Sequence, residues 1–165
     1  MWPRVTASES RALGAEGRKK RFRAIVRQGP APGLIAFHGE TPAGWIAIAP
    51  RTEYRRLASS RVLAPVDDQE VWSVPCFFVA RAARGKGLTV ALLKAACVYA
   101  GSQGARIVEG YPNDPKQARL PAAFVWMGLA SSYTAAGFRE VARRSALRPI
   151  MRRRVRPARK AVAHG

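Results

Sequence analysis

The chain has 165 residues, of which 48% are hydrophobic and 24% charged, which is the composition of one globular domain and excludes general disorder. Its 29 lysines and arginines against 10 acidic residues give a net charge of +19, which excludes an acidic solvating protein. The charge has two interpretations, a composition bias spread over the surface or the attraction of a polyanionic partner, either nucleic acid or a small phosphorylated cofactor. The two cysteines both lie in apolar runs, so a disulfide scaffold is excluded and a reducing compartment fits.

The sequence contains no targeting or membrane segment that we can identify. No stretch approaches the ~18 apolar residues of a membrane span. The first residues lead into a charged segment without the apolar core of a signal peptide. We therefore expect a soluble cytoplasmic protein with no membrane partner.

The first predicted element is a helix over residues 6–27, with Ser8 as its cap and a basic cluster late in the helix, where the dipole favours positive charge. Gly14 and Gly17 weaken this helix and favour a division into two shorter ones. Two strands at 34–38 and 44–49 follow, and the residues between them, 40–43, predict a hairpin turn.

The next predicted strand is the long apolar run at 71–79, reached through a polar connection. Its nearly continuous apolar character indicates a central strand covered on both faces. Pro75 cannot donate a ladder hydrogen bond, so we expect a bulge or a locally broken pairing there. A small basic loop at 80–87 then leads into an amphipathic helix at 88–100.

A strand at 106–111 and an irregular polar loop at 112–121 come next. A short helix at 129–136 follows, which Gly137 ends as a left-handed cap. The strands on either side of the 88–100 helix are joined by a helical crossover, so we expect them to be parallel in a mixed sheet with helices on both faces.

Two strands, 138–144 and 147–155, complete the predicted sheet. Pro149 in the second favours an edge position. The remaining residues, 156–165, predict a frayed basic tail.

The most informative motif joins the long apolar strand to the following helix and reads Arg-Gly-Lys-Gly-Leu-Thr over 84–89. Its glycines let a ligand approach the backbone, while free amides and the helix dipole attract an anion. A pyrophosphate cradle is one interpretation, and a tight turn with solvated basic side chains is the other. The Gly-Lys-Ser/Thr ending of a P-loop and the third glycine of a dinucleotide fingerprint are both missing.

A second motif places Tyr133 four residues before Gly137-Phe138. With the apolar strand, Arg-Gly-Lys-Gly and the amphipathic helix in this order, the sequence over about 34–155 resembles the GNAT acetyltransferases. The resemblance implies an α+β fold, an α/β/α sandwich whose mixed, mostly antiparallel sheet has a central parallel strand pair splayed around acyl-CoA. It implies a single domain over 1–165 with a basic tail, whose N-terminal strand is short or missing.

The resemblance also implies site residues. Acetyl-CoA, as co-substrate, is expected to contact the backbone of the splayed strand at Phe77, Phe78 and Val79. Tyr133 matches the family's proton donor to the departing thiolate, and Glu109 matches a position where some members carry a general base. The pyrophosphate is expected to bind main-chain amides of the loop, whose residues are Arg84, Gly85, Lys86, Gly87, Leu88 and Thr89.

These residue types suit acyl transfer to an amine. A carboxylate such as Glu109 can take the amine's proton, a phenol with a pKa of about 10 can protonate a thiolate, and backbone amides can hold an oxyanion. Tyr133 has the alternative interpretation of a core aromatic, and Glu109 that of a salt-bridged strand residue. The sequence departs from relatives at Thr89, in place of a glycine or alanine, and at Trp126, where Asn is common.

We therefore expect an N-acetyltransferase that moves an acetyl group from acetyl-CoA to a primary amine of a small molecule or peptide in a ternary complex. A GNAT-fold protein that binds CoA without catalysis is the first alternative. A nucleic-acid-binding module is the second, and it lacks interleaved aromatics and any DNA-binding motif spacing. With only two histidines, no metal site is expected. A homodimer is compatible with the family, and the acceptor is not identified.

Overall fold

The computed structural model describes residues 2–115 and 126–158. The strands are β1 (Gly33–His38), β2 (Thr41–Pro50), β3 (Trp72–Val79), β4 (Ile107–Gly110), β5 (Arg139–Arg143) and β6 (Pro149–Arg154). The helices are α1 (Ala7–Gln28), α2 (Arg55–Ala58), α3 (Leu88–Ser102) and α4 (Ala130–Ala135). Residues 2–4 form a 3₁₀ turn, so no strand precedes α1 in the described part of the chain.

The six strands form one sheet in the order β1-β2-β3-β4-β6-β5. Only β3 and β4 are parallel, because α3 crosses between them, and the other neighbours are antiparallel. The predicted mixed α+β fold is therefore confirmed. One apolar cluster packs the sheet against α3 and α4, and a second lies on the other face around α2.

The central strand β3 changes register at its proline. Ser73 pairs with Ala49 while Cys76 pairs with Ala47, so β3 has one extra residue around Pro75. This confirms the predicted bulge, which accommodates a residue without an N–H. On the other side, pairing between β3 and β4 stops at Val74 and Gly110, although β3 continues to Val79. The two parallel strands therefore part in their second half.

Helix α1 begins one residue after Thr6 and not at the predicted cap Ser8. Thr6 and Glu9 form a reciprocal capping box, which satisfies two N–H groups at the start of the helix. Gly14 has φ 58° and ψ −170°, so the predicted break of the helix is real. The helix rests on the sheet through Phe22, whose ring meets Trp45 edge-on, and none of its residues is fully buried.

Two predicted positions near turns and edges are wrong. The β1–β2 turn lies at residues 39–40 because β2 already begins at Thr41. Strand β6 lies between β4 and β5 and is not an edge strand. Pro149 is tolerated there because it is the first residue of the strand, where the ladder makes little use of its missing N–H.

Gly137 has φ 85° and ends α4 as predicted. Part of the predicted tail is tied down, since the Ala158 N–H donates to the Gly101 carbonyl at 2.8 Å. Residues 159–165 of the tail and 116–121 of the predicted loop lie outside the described residues. None of the described helices is long and apolar enough to cross a membrane.

Candidate functional site

A groove of about 460 Å³ opens between the second half of β3 and the N-terminus of α3. Every residue predicted to bind the cofactor, 77–79 and 84–89, lines it except Lys86. Trp126, Gly128 and Ser132 complete its wall from the segment before and within α4. The structure therefore brings the strand motif and the glycine loop together at one concave surface.

Some backbone groups of β3 beside this groove have hydrogen-bond partners in the protein, and others have no backbone partner. The Ala80 N–H donates to the Ala43 carbonyl on β2. Because peptide groups alternate in direction along a strand, those of Phe77 and Val79 point away from β2 and towards the gap. The Phe77 N–H donates to the Trp126 carbonyl at 2.7 Å. Among the described residues, the Val79 N–H and the Phe77 carbonyl have no backbone partner, and the Phe77 carbonyl accepts only a weak contact from Cys76 Sγ at 3.7 Å. These two groups can still receive a ligand.

The glycine loop needs its glycines for conformation. Gly85 and Gly87 both have φ 74°, in the left-handed region that other residues rarely adopt. A Cβ on either would meet nothing within 4 Å, so the space beside them is open. Gly87 directly precedes α3, whose first N–H groups have no partner within the helix and carry the positive end of its dipole. Arg84 Nε donates to the Val79 carbonyl at 3.1 Å and fixes the loop to the strand.

Tyr133 lies at the point where β3 and β4 part, but its side chain is fully buried and does not line the groove. Its hydroxyl donates to the Met127 carbonyl at 3.3 Å. A Cβ on Gly110 would lie 2.6 Å from the Tyr133 hydroxyl oxygen. Gly128, which does line the groove, lies over the Tyr133 ring. Burial raises the pKa of Tyr133 well above its ordinary value, so the phenol is protonated at neutral pH.

Glu109 lies at the centre of a buried polar network. Its Oε1 accepts hydrogen bonds from Tyr111 Oη at 2.6 Å and Arg51 Nη1 at 3.0 Å, and its Oε2 accepts one from Arg152 Nε at 2.7 Å. The Tyr111 hydroxyl also lies 2.8 Å from Ser73 Oγ. Burial and the neighbouring Glu109 raise the pKa of Tyr111 well above its ordinary value. Glu109 therefore forms ion pairs with Arg51 and Arg152, as expected for a salt-bridged strand residue.

Three members of this network, Arg51, Tyr111 and Ser73, belong to no sequence motif that predicts them. One signal was available for Tyr111, because residues two apart on a strand share a face and Tyr111 is two residues after Glu109. Arg51 joins Glu109 across 58 residues, a separation that carries no local signal.

A second cavity, of about 410 Å³, lies between the start of α1, α2 and the β3 bulge. Pro75, Leu57, Met127 and Arg148 line it. Trp126 lines both this cavity and the groove, so it forms part of the partition between them. No group of three His, Cys, Asp or Glu side chains that could hold a metal ion occurs among residues 2–115 and 126–158.

Comparison with known proteins adds a family to this geometry. The model of the acetyltransferase (GNAT) family matches residues 2–120, more than half of the chain, and its match ends before Tyr133. A comparison with curated protein sequences finds no significant match.

Solved structures share the fold at low sequence identity. A GNAT-family acetyltransferase from Streptococcus pneumoniae aligns with a TM-score of 0.55 at 15% identity, covering 87% of this chain and 78% of that one. A GNAT-family protein from Desulfovibrio desulfuricans aligns with a TM-score of 0.53 at 19% identity, over 85% and 80% of the chains. A chain of the NatC complex bound to Gag peptide and CoA gives 0.53 at 14% identity, over 82% and 79%.

Proposed function

The chain belongs to the acetyltransferase (GNAT) family, and from this premise we propose that it transfers an acetyl group from acetyl-CoA to a primary amine. The observation that carries the proposal is the gap where β3 leaves β4, with the Val79 N–H and the Phe77 carbonyl lacking a backbone partner there and the glycine loop beside them. This combination offers hydrogen bonds to an extended amide-containing arm and an anion site next to it.

We propose that the Val79 N–H and the Phe77 carbonyl pair with the amides of the pantetheine arm. The loop 84–89 then takes the pyrophosphate on the N–H groups at the start of α3. Open space beside Gly85 and Gly87 supports this fit, because phosphate oxygens need close approach to the backbone. Phe78 contributes to the groove wall, while its peptide groups serve the ladder with β2.

Transfer in this site needs no covalent enzyme intermediate. The amine nitrogen bonds to the thioester carbonyl carbon, and the carbon–sulfur bond then breaks as the tetrahedral species collapses. Tyr133 is the proposed proton donor to the departing thiolate, since a phenol carries its proton at neutral pH, and it regains a proton from solvent after the products leave. Holding both substrates together supplies much of the rate.

This role requires a local adjustment at the segment before α4. Met127 accepts the Tyr133 hydrogen bond, and Gly128 lies between the ring and the groove. The Trp126 carbonyl accepts a hydrogen bond from the Phe77 N–H, and this N–H is the proposed donor to the thioester oxyanion. We propose that residues 126–128 release both groups when the thioester enters.

Glu109 has a proposed role as an anchor rather than as the base. Both of its oxygens already accept hydrogen bonds from the network, and it lines neither the groove nor the second cavity. It joins β4 to β6 and to the connection after β2. The proton of the attacking amine then passes to solvent.

The test is thiol release from acetyl-CoA in the presence of a panel of amines, together with calorimetric titration of acetyl-CoA. We expect saturable binding, acceptor-dependent thiol release, and a loss of about 10²–10⁴-fold in kcat for Tyr133→Phe at unchanged acetyl-CoA affinity. Tyr99→Phe is the matched control, since Tyr99 bonds the Ala31 carbonyl outside the groove.

Three results decide between the alternatives. Full activity of Tyr133→Phe removes this residue from the mechanism. Binding of acetyl-CoA without release for any amine supports the non-catalytic alternative. Absence of binding at millimolar acetyl-CoA contradicts the proposal as a whole.

A further inference from the structure

We infer that the second cavity takes the acceptor and that Arg148 binds a carboxylate on it, so that the acceptor is a small molecule carrying both an amine and a carboxylate. This inference rests on the proposed acetyl transfer and deepens it by naming a substrate class.

The position of the cavity connects it to the acyl end of the groove. Trp126 lines both spaces, and Pro75, in the β3 bulge, is two residues from Phe77 of the groove wall. A ligand in the cavity therefore lies across the bulge from a thioester in the groove. At about 410 Å³ the cavity falls in the range of small-molecule sites.

Among the described residues Arg18, Arg148 and Arg153 are partly buried arginines that form no ion pair, and of these three Arg148 alone lines the second cavity. Arg51 and Arg152 each bond a carboxylate of the chain, Glu109 in both cases. Arg148 donates instead to two neutral acceptors, Asn113 Oδ1 at 2.9 Å and Met127 Sδ. No carboxylate within the described residues forms an ion pair with it.

A half-buried guanidinium without a counter-charge is costly, and the cost falls when an anion binds. Burial lowers the pKa of Arg148, which has the same physical origin. A guanidinium has five N–H groups, so its two contacts leave donors for a carboxylate in the fork geometry that suits it. Arg148 is therefore prepared for an anionic ligand group.

The rest of the cavity favours the same sign of charge. No aspartate or glutamate occurs among the described residues that line it, and a second guanidinium, that of Arg56, does. The acidic residue nearest in sequence to this wall, Glu9, is already paired with Arg55. Polycationic amines are disfavoured by this lining. Leu57 and Pro75 give the ligand's carbon skeleton an apolar surface.

The first experiment compares each amino acid with its own amide as acceptor for the wild-type protein, by kcat/KM from thiol release. We expect the acid to be preferred about tenfold to a hundredfold, as for a charge-assisted hydrogen bond. Equal rates, or a preference for the amide, overturn the inference even though acetyl transfer itself stands.

The second experiment assigns the preference to a residue. Arg148→Gln is expected to abolish the acid-over-amide preference through KM, and Arg148→Lys to restore part of it. Arg106→Gln is the control, because Arg106 is exposed and its substitution removes the same charge outside the cavity. Retention of the preference in Arg148→Gln, or its loss in Arg106→Gln, contradicts the assignment.

Binding separates the failure of this inference from failure of the proposed function. Amino acids are titrated calorimetrically with and without saturating CoA, so that no turnover is needed. Heat that depends on Arg148 supports the carboxylate site even if acetyl-CoA is not turned over. No heat for any amino acid, together with transfer to amines that lack a carboxylate, overturns the inference alone.

Discussion

In the second half of β3, the N–H of Val79 faces the groove and has no backbone partner among the described residues. On the neighbouring strand β4, the Glu109 carboxylate accepts hydrogen bonds from Tyr111, Arg51 and Arg152. The groove is built from backbone groups and left open. The network around Glu109 is built from side chains, closed and buried. A ligand can add to the first, while the second resists any loss of a member. The contrast separates the residues that hold a substrate from those that hold the sheet.

Removing the centre of the closed network is the largest expected effect. Glu109→Leu leaves Arg51 and Arg152 buried without their carboxylate, which is expected to lower the free energy of unfolding by about 3–5 kcal/mol. Urea denaturation measures this loss. The same substitution at Asp67, which bonds Arg152 from the surface, is the control and is expected to change stability far less. Similar losses in both variants contradict the distinction between anchor and surface partner.

A methyl group at Gly110 tests the packing where the two regions meet. Its Cβ would lie within clashing distance of Tyr133 Cε1 and 2.6 Å from Tyr133 Oη, and the ring is fully buried. Gly110→Ala is expected to lose about 1–3 kcal/mol in stability and to reduce acetyl transfer by displacing the hydroxyl. Gly29→Ala, where a Cβ meets nothing within 4 Å, is the control for thermal denaturation. Unchanged stability of Gly110→Ala means that the ring relocates freely.

A left-handed glycine in the proposed pyrophosphate loop can be compared with one in the β1–β2 turn. Gly87 and Gly39 have φ 74° and 60°, and a Cβ at either meets open space. Alanine at each is expected to cost about 1–2 kcal/mol of stability through backbone strain. Only Gly87→Ala is expected to weaken acetyl-CoA binding in calorimetry, by about tenfold. Equal affinities for the two variants contradict a pyrophosphate site at the loop.

The smallest effect concerns the surface partner of Arg152. The hydrogen bond from Arg152 lowers the pKa of Asp67 in the folded protein. Its contribution is therefore present above the unfolded pKa of about 3.9 and is lost as pH falls below it. The difference in Tm between wild type and Asp67→Asn should be present at neutral pH and vanish in acid. A difference that persists in acid has another cause.

The groove was predictable from the sequence because its signals are local. The glycines predict the turn, the proline predicts the bulge and the apolar run predicts the central strand, and all three signals lie close together in the sequence. The network was not, since Arg51, Glu109 and Arg152 come from three separate parts of the chain. The edge position expected of Pro149 was wrong for a related reason, because strand order depends on the whole sheet rather than on one residue.

The position of Tyr133 on its helix was predictable from the sequence, whereas the contacts of its side chain were not. The sequence predicts a tyrosine on a short helix that ends at Gly137, and the structure has that helix. The hydrogen bond to Met127 and the cover by Gly128 depend on how the segment before α4 enters the gap between the strands. No spacing in the sequence encodes that path.

Amide hydrogen exchange with and without millimolar acetyl-CoA is the direct test of whether acyl-CoA binds in the groove beside β3. We expect slower exchange at Val79 and at 85–89, where the proposed ligand contacts lie, with little change at 107–110, whose backbone groups already pair within the sheet. Protection confined to the basic cluster late in α1, or none at all, would contradict the binding of acyl-CoA in the groove.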